Sequence, residues 1–264
     1  MPTCKHINLV RRHSRIFFLL LALLLTGACA SYDPDSLFEQ AVVEAASAHW
    51  DEALGLCDKA LQSRQSHLSS RILKGLCLHH LGDERKAEES LRAAAQLAPE
   101  DFGAQYFHGW IQCETGRYQD ALPALRKAHQ LRPDHPETLA LLARCCLEQG
   151  LLEGIDYFNR LRKSKTYGQG SEIDNSIALL HLLRGDHTRA KNHLLAALRR
   201  DAGNPAVAQN LGVLHEKFLN QPHEAVRYYS MALVNSQKRG DDDRAATLRR
   251  HLQKLARDRR LGGQ

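Results

Sequence analysis

The sequence predicts an all-α fold, built from about six stacked helical hairpins and closed by one further helix. Two observations carry this reading. Leu and Ala dominate an apolar content of 43%, with aromatics only 6% of 264 residues. Such residues lose little freedom in a helix, whereas β-branched ones are restricted there. Small residues also recur at a fixed interval. Gly82, Gly116 and Gly150 stand 34 apart, with Gly185 35 further on, and Pro99 and Pro133 repeat at 34. A second ladder, Ala53, Ala87, Ala121, Ile155, Ala190 and Ala225, has steps of 34, 34, 34, 35 and 35.

Each ladder has a mechanical meaning. Gly82, Gly116, Gly150 and Gly185 break the chain between paired helices, where a positive φ costs glycine least. Pro99 and Pro133 follow a helix end, because proline cannot continue the hydrogen-bond ladder. Gly75, Gly109 and Gly212 on first helices, with Ala87 and Ala121 on second helices, let two backbones approach closely. A single hairpin cannot bury its own apolar face, so neighbours must stack.

The period divides the chain into hairpins over 34–67, 68–101, 102–135, 136–170, 171–204 and 205–239. The fourth reads as degenerate, since Ile155, Asn159 and Arg162 stand where small or apolar residues are expected. Residues 241–260 open on Asp241-Asp242-Asp243 and read as an N-capped amphipathic helix. Its stripe is Leu248, Leu252 and Leu255, suited to closing an array whose last hairpin would otherwise expose apolar surface.

The first 28 residues have the layout of a secretory signal. Lys5, Arg11, Arg12 and Arg15 precede an unbroken apolar run, Ile16 to Leu25, and small residues follow in TGACAS. Ten helical residues reach about 15 Å, half of a hydrocarbon core of about 30 Å, so the run is too short for a comfortable span. Ala28-Cys29-Ala30 permits ordinary cleavage after Ala30. Leu25 to Cys29 also resembles the bacterial lipobox, which implies a lipid on Cys29 as the new N-terminus. By the same resemblance, Ala30 after the cysteine implies sorting to an outer membrane facing the periplasm.

Charge excludes a nucleic-acid binder. Four of the 36 basic residues lie in the signal, leaving 32 against 30 acidic ones. A further basic excess is confined to residues 238–260, so no continuous basic face results.

A helix–turn–helix period of 34 residues resembles the tetratricopeptide repeat, from about Pro34 to Leu233. The second unit matches through Gly75, Gly82, Ala87, Leu91, Ala94 and Pro99, and the third through Gly109, Gly116, Ala121, Leu125, Ala128 and Pro133. The fifth keeps Ala178, Ala190, Leu194 and Ala197, and the sixth Gly212, Tyr229 and Ala232. The resemblance implies an α-solenoid with a concave groove for a protein or peptide ligand. It places Tyr106 and Trp110 in that groove, with Ile72, Leu76, Arg144, Asn175 and Leu179 at matching positions.

The third unit departs from the pattern. Gln105, His108 and Gln112 stand where the family packs apolar residues, while Phe102, Tyr106, Trp110 and Cys113 form a stripe. Either the rings are exposed anchors or the helix is rotated and the stripe is core.

No motif supports catalysis, a cofactor or a metal. Cys57, Cys77, Cys113, Cys145 and Cys146 form no C-x-x-C pair and read as buried thiols, with a Cys113 bond to Cys145 or Cys146 left open. Histidines are numerous, yet no H-E-x-x-H or acidic ligand cluster accompanies them. The expected function is therefore that of a lipid-anchored scaffold or adaptor in a bacterial envelope, serving pilus assembly, secretion or cell-wall enzymes, and not an enzyme. The alternatives are a structural subunit of a larger envelope complex and a secreted repeat protein without an anchor.

Overall fold

A computed structural model describes residues 33–164, 166–167 and 170–261. The signal over 1–28, Cys29 and the cleavage position at Ala30 lie outside the described residues. Those described form thirteen α-helices and no strand. They fall into two compact units that divide at Pro133 and Asp134.

The first unit contains three hairpins: α1 (Pro34–Ala46) with α2 (Trp50–Ser63), α3 (Leu68–His80) with α4 (Glu84–Leu97), and α5 (Phe102–Glu114) with α6 (Tyr118–Leu131). The second contains α7 (Pro136–Glu148) with α8 (Gly154–Leu161), and α9 (Glu172–Leu183) with α10 (His187–Arg200). It continues with α11 (Pro205–Val213), which runs through a π-helical turn (Leu214–Phe218) to α12 (Pro222–Lys238), and ends on α13 (Asp242–Leu261).

The glycine ladder marks the turns as expected. Gly82, Gly116, Gly150 and Gly185 have φ of 84°, 76°, 65° and 75°. The same register one repeat before and one after is held by Ala48 and Asn220, with φ of 63° and 49°. All six turns thus use the left-handed conformation, four with glycine and two without. The turn closes the helix end by paired bonds, as where Gly82 N–H donates to His79 and Asp83 N–H to Leu78.

Within each hairpin the first helix touches the second through its small residue. A Cβ on Gly75 would lie 2.5 Å from Leu91 Cγ, and one on Gly109 2.5 Å from Leu125 Cγ. Ala53, Ala87, Ala121, Ala190 and Ala225 are all fully buried. Three of the first helices, α5, α7 and α11, are capped by the side chain of the residue before them. Asp101 accepts from Ala104 N–H at 2.8 Å, His135 Nδ1 from Thr138 N–H at 3.3 Å, and Asn204 from Ala206 N–H at 3.0 Å.

In the fourth hairpin the second helix has eight residues, against fourteen in its neighbours, and its buried register differs from the one expected. Its buried small residue is Gly154, whose Cβ would lie 2.7 Å from Cys146 Cβ, and not Ile155. Phe158 and Leu161 are buried with it, whereas Asn159 is exposed and Arg162 half-buried. Five residues separate α7 from α8, against three in the neighbouring hairpins, and the buried positions of α8 fall one place nearer the turn glycine than in those hairpins. Arg162 serves instead as a partner of Asp174, its Nη2 lying 2.7 Å from Oδ1.

Candidate partner-binding groove

Four of the expected groove residues lie in the first unit. Ile72 and Leu76 stand one turn apart on α3, Tyr106 and Trp110 one turn apart on α5, and all four are half-buried. Ile72 and Trp110 pack against one apolar cluster of Leu78, Ala87, Leu91 and Ile111. Their inner edges are therefore fixed by the core while the rest stays accessible.

The rings form a continuous run along α5. Phe102 stacks on Tyr106 at 5.7 Å, Tyr106 meets Phe107 edge-on at 5.1 Å, and Phe107 meets Trp110 edge-on at 6.3 Å. Offset and edge-on geometries are those that aromatic quadrupoles favour. The Arg132 guanidinium lies over Phe102 at 4.3 Å from its centroid. Beyond Trp110 the run passes to α3, where His79 meets the indole edge-on at 4.8 Å and is held through Nδ1 by Glu84 at 2.9 Å. The sequence reading missed His79 and Phe107; His79 occupies the turn after Leu76 on α3 and was legible from that spacing.

The polar residues of α5 explain how the rings stay outside. Gln105 is buried and its Nε2 donates to the carbonyls of Ala95 and Pro99 at 3.1 and 3.2 Å, closing the end of α4. Gln112 is buried too, and burial pushes the His108 imidazole below its ordinary pKa. The inward face of this helix thus carries Gln105 and Gln112 beside the buried Ala104, Gly109, Ile111 and Cys113, while the four rings are half-buried. Cys113, the fourth member of the sequence stripe, is fully buried and belongs to the core.

The remaining three candidates lie in the second unit. Arg144 on α7 and Asn175 and Leu179 on α9 are half-buried. Asn175 Oδ1 accepts from Asn210 Nδ2 of α11 at 2.8 Å, a pair across 35 residues.

Two polar clusters in this unit hold helices together. Asp174 is 3% exposed and binds Arg162, His193 Nδ1 at 3.0 Å and Arg200 Nε at 3.1 Å. Glu216, on the π turn, accepts from Tyr229 Oη at 2.7 Å and faces His251 Nε2 of α13 at 2.8 Å. Burial pushes the Glu216 pKa up, but hydrogen bonds from Lys217, Tyr229 and His251 outweigh it and hold it at about 2.

All five cysteines among the described residues are buried thiols. No group of three or more His, Cys, Asp or Glu side chains among them converges for a metal. No described helix is long and apolar enough to cross a membrane.

Two stretches, residues 38–102 and 114–154, match the tetratricopeptide repeat sequence families. Those two stretches carry tetratricopeptide repeat sequence. Solved repeat structures agree with the fold at low identity. One is YrrB, described as a tetratricopeptide repeat protein with an unusual peptide-binding site. It shares 17% identity and a TM-score of 0.61, over 67% of this chain and 90% of that one. A repeat protein from Parabacteroides merdae gives 12% and 0.59, over 84% and 93%. MamA of MSR-1 gives 18% and 0.56, over 64% and 97%. No curated protein matches the chain by sequence.

Proposed function

We propose that this chain is a protein-binding scaffold, exported and held by a lipid on Cys29 at an envelope membrane, that takes an apolar peptide segment against α3 and α5. The observation that carries the reading is the half-buried aromatic run of Phe102, Tyr106, Phe107 and Trp110 on α5, beside a buried face that is closed by Ala104, Gly109, Ile111 and Cys113. Rings fixed at one edge bury large area at little entropic cost, which suits them to anchor a partner. The peptide-binding site named for YrrB supports the same use of this fold, by analogy of fold alone. In the second unit the matching candidate on α7 is the half-buried Arg144. Asn175 and Leu179 extend that surface.

Truncating Tyr106 or Trp110 to alanine is the test. Partner binding should weaken by about 2 kcal/mol for each, as for an interface hot spot, with circular dichroism unchanged. Undiminished binding by both variants would remove the groove from the account. A second reading, as a structural subunit, rests on Leu183 and Phe218, large apolar residues 64% and 44% exposed at hairpin turns away from the first helices' middle.

A further inference from the structure

Where one hairpin's second helix meets the next hairpin's first, two side chains at fixed positions face each other in the core. Between α4 and α5 they are Leu91 and Ile111, in one buried cluster. Between α8 and α9 they are Phe158 and Leu180, and after α10 they are Leu194 and Leu214. Each of these junctions is filled by two large apolar groups. Between α2 and α3 the same positions, 34 residues earlier than Leu91 and Ile111, hold Cys57 and Cys77. Both thiols are fully buried in one cluster and interact with one another. Two small, mutually interacting thiols thus stand where these three junctions have two large groups; the same positions of α6 and α7 hold Leu125 and a single thiol, Cys145.

We infer that Cys57 and Cys77 close as a disulfide that staples the first hairpin to the second. A covalent bond there offsets the packing lost by replacing two aliphatic side chains, and it closes a loop of about 20 residues, a length at which a cross-link is stabilising. The Cys77 thiolate attacks one sulfur of a donor disulfide, such as oxidised glutathione or an oxidoreductase, and expels the other half as a thiol. Cys57 then attacks the Cys77 sulfur of the mixed disulfide, its proton lost to solvent, and releases the second half. The donor takes up both electrons. Because both sulfurs are buried in the closed junction, exchange takes place during folding, before α2 and α3 dock. An exported chain would meet such a donor, and this is the one point at which the inference leans on export.

The test needs no knowledge of compartment, so its failure and a failure of the export reading are separate. The full chain is refolded in a glutathione redox buffer, alkylated in denaturant and digested without reduction. Trypsin cuts after Arg15, Lys59 and Lys74, leaving Cys57 and Cys77 in different peptides; Cys29 shares the peptide of Cys57, so fragmentation assigns the bonded cysteine, and a Cys29–Cys77 bond overturns the inference. The expected result is a Cys57–Cys77 linked pair, 2 Da lighter than the two free peptides combined, and a melting temperature that drops by roughly 5–10 °C on reduction. The double variant Cys57→Leu/Cys77→Ile, which restores the aliphatic pair of the next junction, should fold and melt identically with and without reductant. Full alkylation of both Cys57 and Cys77 after oxidative refolding overturns the inference. So does their capture in bonds to Cys113, Cys145 or Cys146.

Discussion

Ala48 and Asp174 illustrate how single residues depart from the repeat and what each departure costs. Ala48 takes a left-handed turn that four other hairpins give to glycine, in a conformation disfavoured by about 1–2 kcal/mol for a residue with a Cβ. Glycine regains part of that cost as unfolded-state entropy, so Ala48→Gly should stabilise the chain by about 0.5–1 kcal/mol. A urea titration checks this, and no gain would mean the turn is unstrained. Asp174 works the other way. It is the buried acceptor for Arg162, His193 and Arg200, so Asp174→Asn should destabilise by about 2–3 kcal/mol, the worth of hydrogen bonds to a charged group. Neither residue's partners were legible in the sequence, because contacts across 12 to 26 positions leave no periodic trace. The rings of α5 were legible, since i, i+4 spacing on a helix places them on one side whatever they touch.

At the scale of elements, hairpin boundaries were readable where glycine and alanine perform a task no larger residue can. The fourth hairpin was misread for a related reason. Gly154 sits in the helix at the close-approach position, but a glycine beside Gly150 resembles part of a loop, and the eye moves to Ile155. Its burial pattern of Gly154, Phe158 and Leu161 becomes regular only once the one-residue shift of register is known. The C-terminal helix had a readable stripe, and Leu248 is indeed buried while Leu252 and Leu255 pack beside it. Its polar latch was not readable. Glu216 is held at about 2, below its ordinary 4.5, by bonds that include His251. The contribution is therefore fully present above pH 4.5 and is lost as pH falls towards 2. The wild type should lose stability over that window more steeply than Glu216→Gln, in acid titrations followed by fluorescence. Superimposable acid limbs would show that the latch carries no weight.

At the scale of the whole molecule, composition and period sufficed for the all-helical repeat fold, while compartment rests on the N-terminal reading alone. Under that reading Cys29→Ser should abolish lipid labelling and move the protein from the membrane fraction to the soluble one. A mature N-terminus at Ser31 in the unaltered protein would favour simple secretion instead. The central claim, that the chain is a scaffold working through the α3–α5 surface, is tested most directly by photocrosslinking in intact cells. A benzoyl-phenylalanine is placed in turn at Tyr106 and at Leu76, with controls at the exposed Gln96 and Gln130 on second helices. The account predicts one discrete adduct shared by the two groove positions, weakened by Trp110→Ala and absent from the controls. Adducts from Gln96 and Gln130 with none from Tyr106 or Leu76 would contradict it.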